Sequence, residues 1–226
     1  MCGRYTNTVT DPKAVAQAFD LDNVPDNLTP RYNIAPTQPV MTIVNDDQGQ
    51  NQLAWMRWGL IPSWAKQRSI GNRMINARAE TLAEKPSFRS AYKYRRCLVV
   101  ADGFYEWKKN DDKSKTPMYI RLKNSDLFGL AGLWERWTDP DTGELLTTCT
   151  IITGQPNELI KPLHHRMAVI LPQDRHAIWL DRHLQITKEL QPLLQPYPAD
   201  EMMVYPVSTD VNNARNESPH LIEPVA

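Results

Sequence analysis

The amino-terminal tetrapeptide Met1-Cys2-Gly3-Arg4 contains the first candidate for covalent chemistry, the cysteine at position two. Methionine aminopeptidase removes Met1 readily when the second side chain is small, and the mature chain would then begin with a free α-amine on Cys2. Such a 1,2-aminothiol condenses with an aldehyde in two stages. The amine forms a Schiff base, and the sulfur then adds to the same carbon and closes a five-membered thiazolidine.

The amine of such a terminus would be reactive at neutral pH. An α-amine has a pKa of about 7.7–8.0, so roughly a tenth or more is unprotonated at pH 7, against well under a thousandth of a lysine amine. Gly3 would let the terminus approach a substrate closely. The alternative is that Cys2 is an accidental second residue on a frayed chain end.

Three later stretches place polar or ionisable side chains inside otherwise apolar sequence. Each contributes one candidate: Asn76 in the stretch 75–81, Glu106 in the stretch 101–107 and His164 in the stretch 163–167. Glu106 alternates with Tyr105 and Trp107, a pattern that is also typical of a strand residue facing solvent. His164 has a titratable neighbour in His165, and a histidine of this kind often packs or caps instead of reacting.

The net charge of the 226-residue chain is zero, but the charges are unevenly distributed. Residues 57–96 contain ten basic and two acidic side chains, so this segment is +8 and the remainder is −8. The aromatic residues interleaved with these charges are Trp58, Trp64, Phe88, Tyr92 and Tyr94. Phosphate-binding cations beside flat rings are typical of a single-stranded nucleic-acid groove. The alternative is a solvated basic face whose aromatic residues lie in the core.

The elements that must position these groups are predicted to be a mixture of strands and helices. Strands bounded mostly by Pro, Gly, Asn or Asp are predicted at 40–44, 97–100, 118–122, 148–152, 168–171 and 203–207. Helices are predicted at 11–19, 77–85, 155–160 and 174–180. Strands and helices do not alternate regularly. We therefore expect an α+β fold, with residues 1–226 as a single domain around a mainly antiparallel, barrel-like β-sheet with peripheral helices.

Composition excludes several other classes of protein. Hydrophobic residues make up 41% and charged residues 23% of the chain, as in globular domains. The sequence contains neither a signal peptide nor a run of about 18 apolar residues, so we expect a cytoplasmic protein without membrane contact. Three cysteines with no close pair argue against a disulfide framework and a zinc site, and no metal or cofactor is expected. Cys97 and Cys149 lie in strand-like runs and are predicted to be buried.

Seven motifs in a single order resemble the SRAP family, named for SOS-response-associated peptidases. The resemblance extends from Cys2 to about Pro224. The motifs are Met1–Arg4, Arg31–Thr37, Trp58–Trp64, Ile75–Thr81, Ala101–Trp107, Leu163–Met167 and Tyr205–Ser208. The resemblance implies a protein of the DNA damage response that crosslinks itself to abasic sites in single-stranded DNA, where the sugar opens to an aldehyde. It also implies possible AP-lyase and self-processing peptidase activities.

The same resemblance implies four catalytic residues. Cys2 supplies the amine and the thiol, Asn76 hydrogen-bonds the sugar or the terminus, Glu106 manages protons at the amine, and His164 acts on the sugar oxygen. A carboxylate suits imine formation, which must move a proton and expel water, and a histidine has the near-neutral pKa that ring opening needs. The family's histidine stands two residues before the arginine, which selects His164 over His165.

The resemblance further implies a DNA-binding set made of Arg4, Asn33, Trp64, Arg78, Arg166 and Ser208. The arginines would contact phosphates, and Trp64 would stack at the gap left by the missing base. Two positions depart from the family pattern, since Ala168 stands where many members have proline and His165 where an acidic residue is common. The expected partner is single-stranded DNA with abasic sites, and the expected assembly is a monomer.

Two other functions stay open. Glutamine amidotransferases with an N-terminal cysteine also begin Met-Cys-Gly and use the α-amine as base. They typically continue with an aliphatic residue and use an Asn-Gly pair, whereas Arg4 follows here and no Asn-Gly occurs. A non-catalytic single-stranded DNA-binding module would account for the basic segment but leaves Asn76, Glu106 and His164 unexplained.

Overall fold

The structure, a computed structural model, describes residues 2–225 of the chain. Its strands are β1 (Tyr5–Asn7), β2 (Arg31–Ile34), β3 (Pro39–Asn45), β4 (Asn51–Trp58), β5 (Asn76–Arg78), β6 (Arg96–Ala101), β7 (Gly103–Lys109), β8 (Lys115–Leu122), β9 (Phe128–Thr138), β10 (Leu145–Gly154), β11 (Met167–Ala168), β12 (Ile170–Leu171) and β13 (Met202–Pro206). Its α-helices are α1 (Pro12–Phe19), α2 (Arg89–Tyr94), α3 (His176–Leu180) and α4 (Thr187–Leu190). Short 3-10 helices occupy Arg68–Arg73, Ala79–Thr81, Gln173–Arg175, Gln191–Leu193, Ala199–Glu201, Thr209–Asn212 and Pro219–Ile222.

Strands β3, β4, β6, β9 and β10 close into a barrel. The pairs β4–β3, β3–β6, β6–β9 and β9–β10 are antiparallel. The ring closes where β10 runs parallel to β4, with Thr148 opposite Arg57. Because each strand of the ring has two neighbours, the barrel has no open edge. The predicted fold class, a single α+β domain around a mainly antiparallel, barrel-like sheet, is confirmed.

A second, antiparallel sheet has the strand order β13-β8-β7-β1-β2. Strand β1 lies inside this sheet, with Tyr5 opposite Phe104 of β7 on one side and opposite Ile34 of β2 on the other. Asp102, in the turn before β7, accepts hydrogen bonds from the backbone N–H and the hydroxyl of Thr8, each at 2.5 Å. Residues 5–8 are therefore held inside the second sheet, which argues against a frayed end next to Cys2.

The amino-terminal segment packs into the same apolar cluster as the barrel interior. Cys2 and Tyr5 are fully buried there together with Trp58 and Cys149. The rings of Tyr5 and Trp58 meet edge to face, with centroids 5.3 Å apart. Burying side chains of this size stabilises a fold by about 1.5–3 kcal/mol each, so β1 is held by packing as well as by strand pairing. Cys97 is also fully buried, which confirms the prediction for Cys97 and Cys149.

The predicted strands are all present, with boundaries shifted by a few residues, but two predicted helices are wrong. The segment 77–85 forms β5 and a 3-10 turn because Asn76 and Ala77 pair in parallel with β10, and strand pairing overrides the helical pattern. The segment 155–160 forms only a turn, in which Asn157 Oδ1 accepts the N–H of Ile160 at 3.0 Å. Pro162 lies two residues after Ile160 and opposes continuation of the turn as a regular helix.

The helices predicted at 11–19 and 174–180 are confirmed. Asp11 caps α1 by accepting the backbone N–H of Lys13 at 3.0 Å, and Pro12 occupies the first helical position. Residues 173–175 form a 3-10 turn that continues into α3. Within residues 2–225, no helix is long and apolar enough to cross a membrane.

Candidate active site at the amino-terminal cysteine

Cys2 lies beside strand β7, because β1 pairs with that strand along its length. The backbone N–H of Tyr105 donates to the carbonyl of Arg4 at 2.9 Å, which extends the pairing beyond the end of β1. Cys2 is fully buried, and its Sγ lies 3.9 Å from the Arg4 carbonyl oxygen. Its position is thus fixed by the backbone of the sheet.

Asn76 holds the cysteine from the barrel side. It begins β5, which pairs in parallel with β10 opposite Ile151. The Asn76 Nδ2 donates to the carbonyl oxygen of Cys2 at 2.8 Å. Its Oδ1 is buried and has no hydrogen-bond partner among residues 2–225. An amide oxygen in this state is an acceptor that a substrate hydroxyl or a protonated amine can satisfy.

Glu106 is a buried carboxyl group on β7, only 4% exposed. The interpretation of Glu106 as a solvent-facing strand residue is therefore wrong. Burial raises the pKa of Glu106 above its ordinary value, because a charged carboxylate is poorly solvated in this site. Burial, and after it the negative charge of Glu106, raises the pKa of the Cys2 thiol to about 12. The thiol is therefore protonated at neutral pH, and the two groups interact electrostatically.

His164 lies in the loop that leads into β11. Its Nδ1 accepts the backbone N–H of Arg166 at 2.9 Å, so the neutral ring carries its proton on Nε2. Burial lowers the pKa of His164, and the positive charges of His165 and Lys109 contribute to the shift. His165 is exposed and stacks on the His164 ring, with centroids 4.2 Å apart.

Arg166 connects the segment that follows β5, the strand of Asn76, to the loop that contains His164. Its side chain is buried and forms a double ion pair with Glu80, with N–O distances of 2.7 and 2.9 Å. It also donates to the carbonyl of Thr153 on β10. Thr153 pairs with β5 on one side and with β11 on the other. The described contacts of Arg166 are thus internal to the protein.

Sequence reasoning did not select Glu80, the partner of the candidate site residue Arg166. The hydrogen bonds from Arg166 lower the pKa of the Glu80 carboxyl below its ordinary value. A signal was available, since Glu80 is one of only two acidic residues in the basic segment 57–96. An isolated acid in such a segment indicates a specific cationic partner.

Arg4, Asn33 and Ser208 are also engaged within the protein. Arg4 Nη1 donates to Asn33 Oδ1 at 2.6 Å, and Asn33 is fully buried. The Ser208 hydroxyl accepts the backbone N–H of Asp210 at 3.2 Å and caps the 3-10 turn that follows. Arg4, two residues after Cys2, is therefore bound by the protein itself, and Asn33 is not exposed to solvent.

The basic segment 57–96 divides between core and surface. Trp58, Phe88 and Tyr92 are buried, and the Arg96 guanidinium lies in the core, where it donates to backbone carbonyls including that of Tyr92 at 2.9 Å. Arg95 is paired with Glu135 at 2.7 Å. The exposed members of the segment include Arg78, at the end of β5, and Trp64, which is 59% exposed.

A surface cleft of about 670 Å³ runs along residues 64–73 and is lined by Trp64, Lys66 and Arg73 among others. Gly59 and Gly71 lie against each other, and a Cβ on either would come within 2.6 Å of the other's carbonyl oxygen. Gly59 also has a φ of +117°, which favours glycine. These two glycines hold the Trp64 loop against the barrel. Across residues 2–225, no cluster of three or more His, Cys, Asp or Glu side chains forms a metal site.

Comparisons with known proteins identify the family. A sequence model described as SOS response associated peptidase (SRAP) matches residues 1–214. The chain is 50% identical over 225 residues to the abasic site processing protein YoqW of Bacillus subtilis (strain 168), covering 99% of both chains. It is 34% identical over 227 residues to the abasic site processing protein HMCES of Xenopus tropicalis, covering 88% of this chain and 67% of that protein. A crystal structure of a protein from Bacteroides thetaiotaomicron superimposes with a TM-score of 0.89 at 30% identity, covering 100% of both chains. On these grounds the chain belongs to the SRAP family of SOS response associated peptidases.

Proposed function

We propose that this protein recognises abasic sites in single-stranded DNA and crosslinks itself to them as a thiazolidine through Cys2 after removal of Met1. Met1 lies outside the described residues. The observation that carries the proposal is the junction at Cys2, where the Asn76 amide holds the cysteine carbonyl at 2.8 Å and the buried Glu106 interacts with the thiol. Relatives that cover nearly the whole chain are named abasic site processing proteins, which supports the same substrate here.

The first chemical step is attack of the Cys2 α-amine on the aldehyde of the opened sugar. The amine nitrogen forms a bond to the aldehyde carbon, and the carbinolamine hydroxyl must then leave as water. The raised pKa of Glu106 keeps a larger fraction of this carboxyl protonated at neutral pH than an exposed glutamate would keep. Glu106 therefore donates the proton that turns the leaving hydroxyl into water, and an imine results.

The second step closes the ring. After the first step the imine is protonated on nitrogen and Glu106 is a carboxylate. The Cys2 sulfur bonds to the imine carbon, its proton passes to the Glu106 carboxylate, and the C=N electron pair returns to the nitrogen, which keeps its proton and becomes a secondary amine. Across both steps one water leaves, and one C–N and one C–S bond form. Because the pKa of the thiol is about 12, a preformed thiolate is scarce at pH 7, so proton transfer must accompany sulfur attack.

His164 acts on the sugar before these steps. An abasic deoxyribose is mostly a closed hemiacetal, and opening it breaks the bond between C1′ and the ring oxygen while the proton of the C1′ hydroxyl is transferred to the ring oxygen. The neutral imidazole of His164 accepts the Arg166 N–H at Nδ1 and so presents Nε2–H as a hydrogen-bond donor that would stabilise the ring oxygen during this transfer. The lowered pKa of His164 keeps the ring neutral at physiological pH, and the neutral ring carries the Nε2–H that this role requires.

The strand would be held by the exposed side chains next to this site. Trp64 offers a flat ring at 59% exposure, and Arg78 presents a cation at the end of the strand that carries Asn76. Stacking and phosphate contact are the two interactions that bind single strands without sequence preference. Arg166 would contribute by shaping the site through Glu80, because its described hydrogen bonds are internal.

Strand cleavage and self-processing follow from the same site. The imine makes the proton next to it acidic, so β-elimination of the 3′ phosphate competes with ring closure, which accounts for an AP-lyase activity. Removal of Met1 by the protein itself would be the peptidase activity. We further expect a cytoplasmic monomer that engages DNA without a cofactor.

An abasic single-stranded oligonucleotide mixed with the mature protein tests the proposal. A one-to-one adduct that survives denaturation should form, and an intact strand should give none. Cys2→Ser should lose the stable adduct while still forming an imine that borohydride traps, because a hydroxyl is a far poorer ring-closing nucleophile. One residue added before Cys2 removes the aminothiol and should abolish the thiazolidine. A stable adduct of the extended protein, mapped to the Cys2 sulfur alone, would contradict the proposal.

A further inference from the structure

The C-terminal segment crosses the second sheet next to the amino terminus. Residues 208–223 are called here the C-terminal strap. Asn33 of β2 binds the strap through Nδ2, which lies 3.3 Å from the carbonyl oxygen of Val211 and 3.0 Å from those of Asn213 and Asn216. The Asn33 side chain and Val211 are both fully buried. The two N–H groups of a single buried amide thus lie within hydrogen-bond distance of three backbone carbonyls of the strap.

Arg4 completes this network from β1's side. Its Nη1 donates to Asn33 Oδ1 at 2.6 Å and to the Val211 carbonyl at 2.8 Å. The guanidinium carbon lies 5.9 Å from the ring centroid of Trp107, whose Nε1 donates to Asn212 Oδ1 at 2.7 Å. The arginine therefore contacts the sheet and the strap together, and these contacts fix its side chain in one position.

The network ends two residues from the reacting cysteine. Only Gly3 separates Arg4 from Cys2. The Arg4 carbonyl accepts the Tyr105 N–H of β7 at 2.9 Å, and the Cys2 carbonyl accepts the Asn76 amide at 2.8 Å. The terminus is thus held at two points, one on the barrel and one on the strap. Gly3 between them has no side chain to help fix its backbone.

We propose that Arg4 and Asn33 are positioning residues for Cys2, acting through the C-terminal strap and not through contact with a DNA phosphate. The inference deepens the proposed function and rests on it. Two-point attachment restricts the amine and the thiol to a narrow range of positions, and misplacing reacting atoms by about 1 Å can cost about 100-fold in rate. Arg78 offers the contrasting case, because it is exposed at the end of β5.

Single-turnover crosslinking to an abasic oligonucleotide separates these roles. The rate is measured against protein concentration, which gives a maximal rate and a half-saturating concentration. Affinity for an intact strand is measured at several salt concentrations. Arg4→Met should lower the maximal rate by between about tenfold and 100-fold, with half-saturation and salt dependence unchanged. Arg78→Ala, the matched control, should keep the maximal rate and raise the half-saturating concentration. Its salt slope for intact-strand binding should fall by the amount expected for about one phosphate contact.

Two milder variants test the mechanism. Arg4→Lys keeps the charge, which suffices for a phosphate, but a lysine cannot span Asn33 and Val211, so the maximal rate should stay low. Should Arg4→Met not fold, Arg4→Lys provides the same test. Asn33→Asp still accepts from Arg4 but loses the donor and places a carboxylate against three strap carbonyls. It should lower the maximal rate while leaving the salt dependence of binding unchanged.

The outcomes distinguish this inference from the proposed function. Failure of the wild-type protein to form an adduct would refute the proposed function, and the salt dependence of intact-strand binding would still report on Arg4. If Arg4→Met weakens binding and flattens its salt dependence while Arg4→Lys restores both, Arg4 contacts a phosphate and the inference is wrong. Unchanged maximal rates in Arg4→Met and Asn33→Asp would overturn it as well.

Discussion

The surroundings of Cys2 and the exposed part of the basic segment use arginine side chains in opposite ways. Near Cys2, arginine side chains are held by fixed partners within the protein, as the buried Arg166 is by Glu80. On the basic surface, Arg78 and Trp64 point to solvent. The first region is already organised without a substrate, whereas the second presents groups that a ligand must organise.

This difference separates two contributions to the proposed activity. Buried, hydrogen-bonded groups set the geometry and the proton affinity of the reacting atoms, and their loss should change rates. Exposed cations set how often and how long a strand is held, and their loss should change affinity and its salt dependence. A variant that changes both the rate and the affinity would contradict this division of roles, and a variant that changes only one of them would support it.

The largest effect is expected at Glu106. Glu106→Gln keeps the size of the side chain but removes the proton donor and acceptor, so the covalent step should slow by about 100-fold or more. Affinity for an intact strand should be unchanged. Glu158→Gln, in an exposed pair with Lys161, is the control and should leave both quantities as they are. A Glu106→Gln protein that crosslinks at the wild-type rate would remove Glu106 from the mechanism.

The histidine pair gives the next effect. His164→Ala removes the Nε2–H donor and should slow crosslinking by about tenfold to 100-fold, again without weakening strand binding. His165→Ala should have a much smaller effect, because His165 is exposed and reaches the site only by stacking on His164. Single-turnover rates of the two variants decide the assignment. A larger loss in His165→Ala would show that the acting histidine is misassigned.

A smaller effect is expected on the basic surface. Arg78→Ala should weaken binding of an intact strand by about fivefold at low salt and by less at high salt, since one phosphate contact is lost. The crosslinking rate at saturating protein should be nearly unchanged. Lys93→Ala is a control of equal charge change on α2, and titrations at several salt concentrations compare the two. Equal effects would mean that bulk charge and not the position beside Asn76 governs binding.

The smallest effect concerns stability and pH. The pKa of Glu80 is lowered by Arg166, so this pair stabilises the fold above the ordinary carboxyl pKa, and the stabilisation is lost as pH falls through the lowered value. Solvent screens the pair, because Glu80 is 43% exposed, and its contribution should be no more than about 1 kcal/mol. Urea unfolding at neutral and acidic pH should show that Glu80→Gln has less acid dependence than wild type. Identical pH dependence would contradict the pairing.

Strand pairing explains which parts of the fold the sequence could predict. Runs such as 97–100 and 148–152 are rich in β-branched or apolar residues and were predicted correctly as strands. Strand β9 was missed because Gly129 and Gly132 weaken its local propensity. The barrel requires Gly132, since a side chain there would lie 2.9 Å from the sulfur of Cys97 and 3.0 Å from the carbonyl of Thr150. Because this contact joins residues of three strands, the sequence of a single strand cannot predict the need for glycine.

The candidate site shows the same limit. Motif order selected Cys2, Asn76 and Glu106, and the structure brings these three together. Sequence could not tell that Arg166 is paired with Glu80, because the two are 86 residues apart and become neighbours only through β10. The burial of Asn33 was equally hidden, since its partners lie in the strap. The types and order of the residues indicate the chemistry. Only the fold shows whether a given arginine is available to a ligand or is bound within the protein.

The two-point attachment of the terminus also orders events during synthesis. Cys2 is synthesised well before the residues that enclose and fix it, because Glu106 and the strap beginning at Ser208 come much later in the chain. At about 5–20 residues per second, on the order of 10–40 s separate the emergence of Cys2 from that of the strap. We expect an enzyme that removes Met1 to act more easily during this interval, because Cys2 is fully buried in the folded protein. Under the proposed function, the yield of mature protein would then depend on the speed of translation.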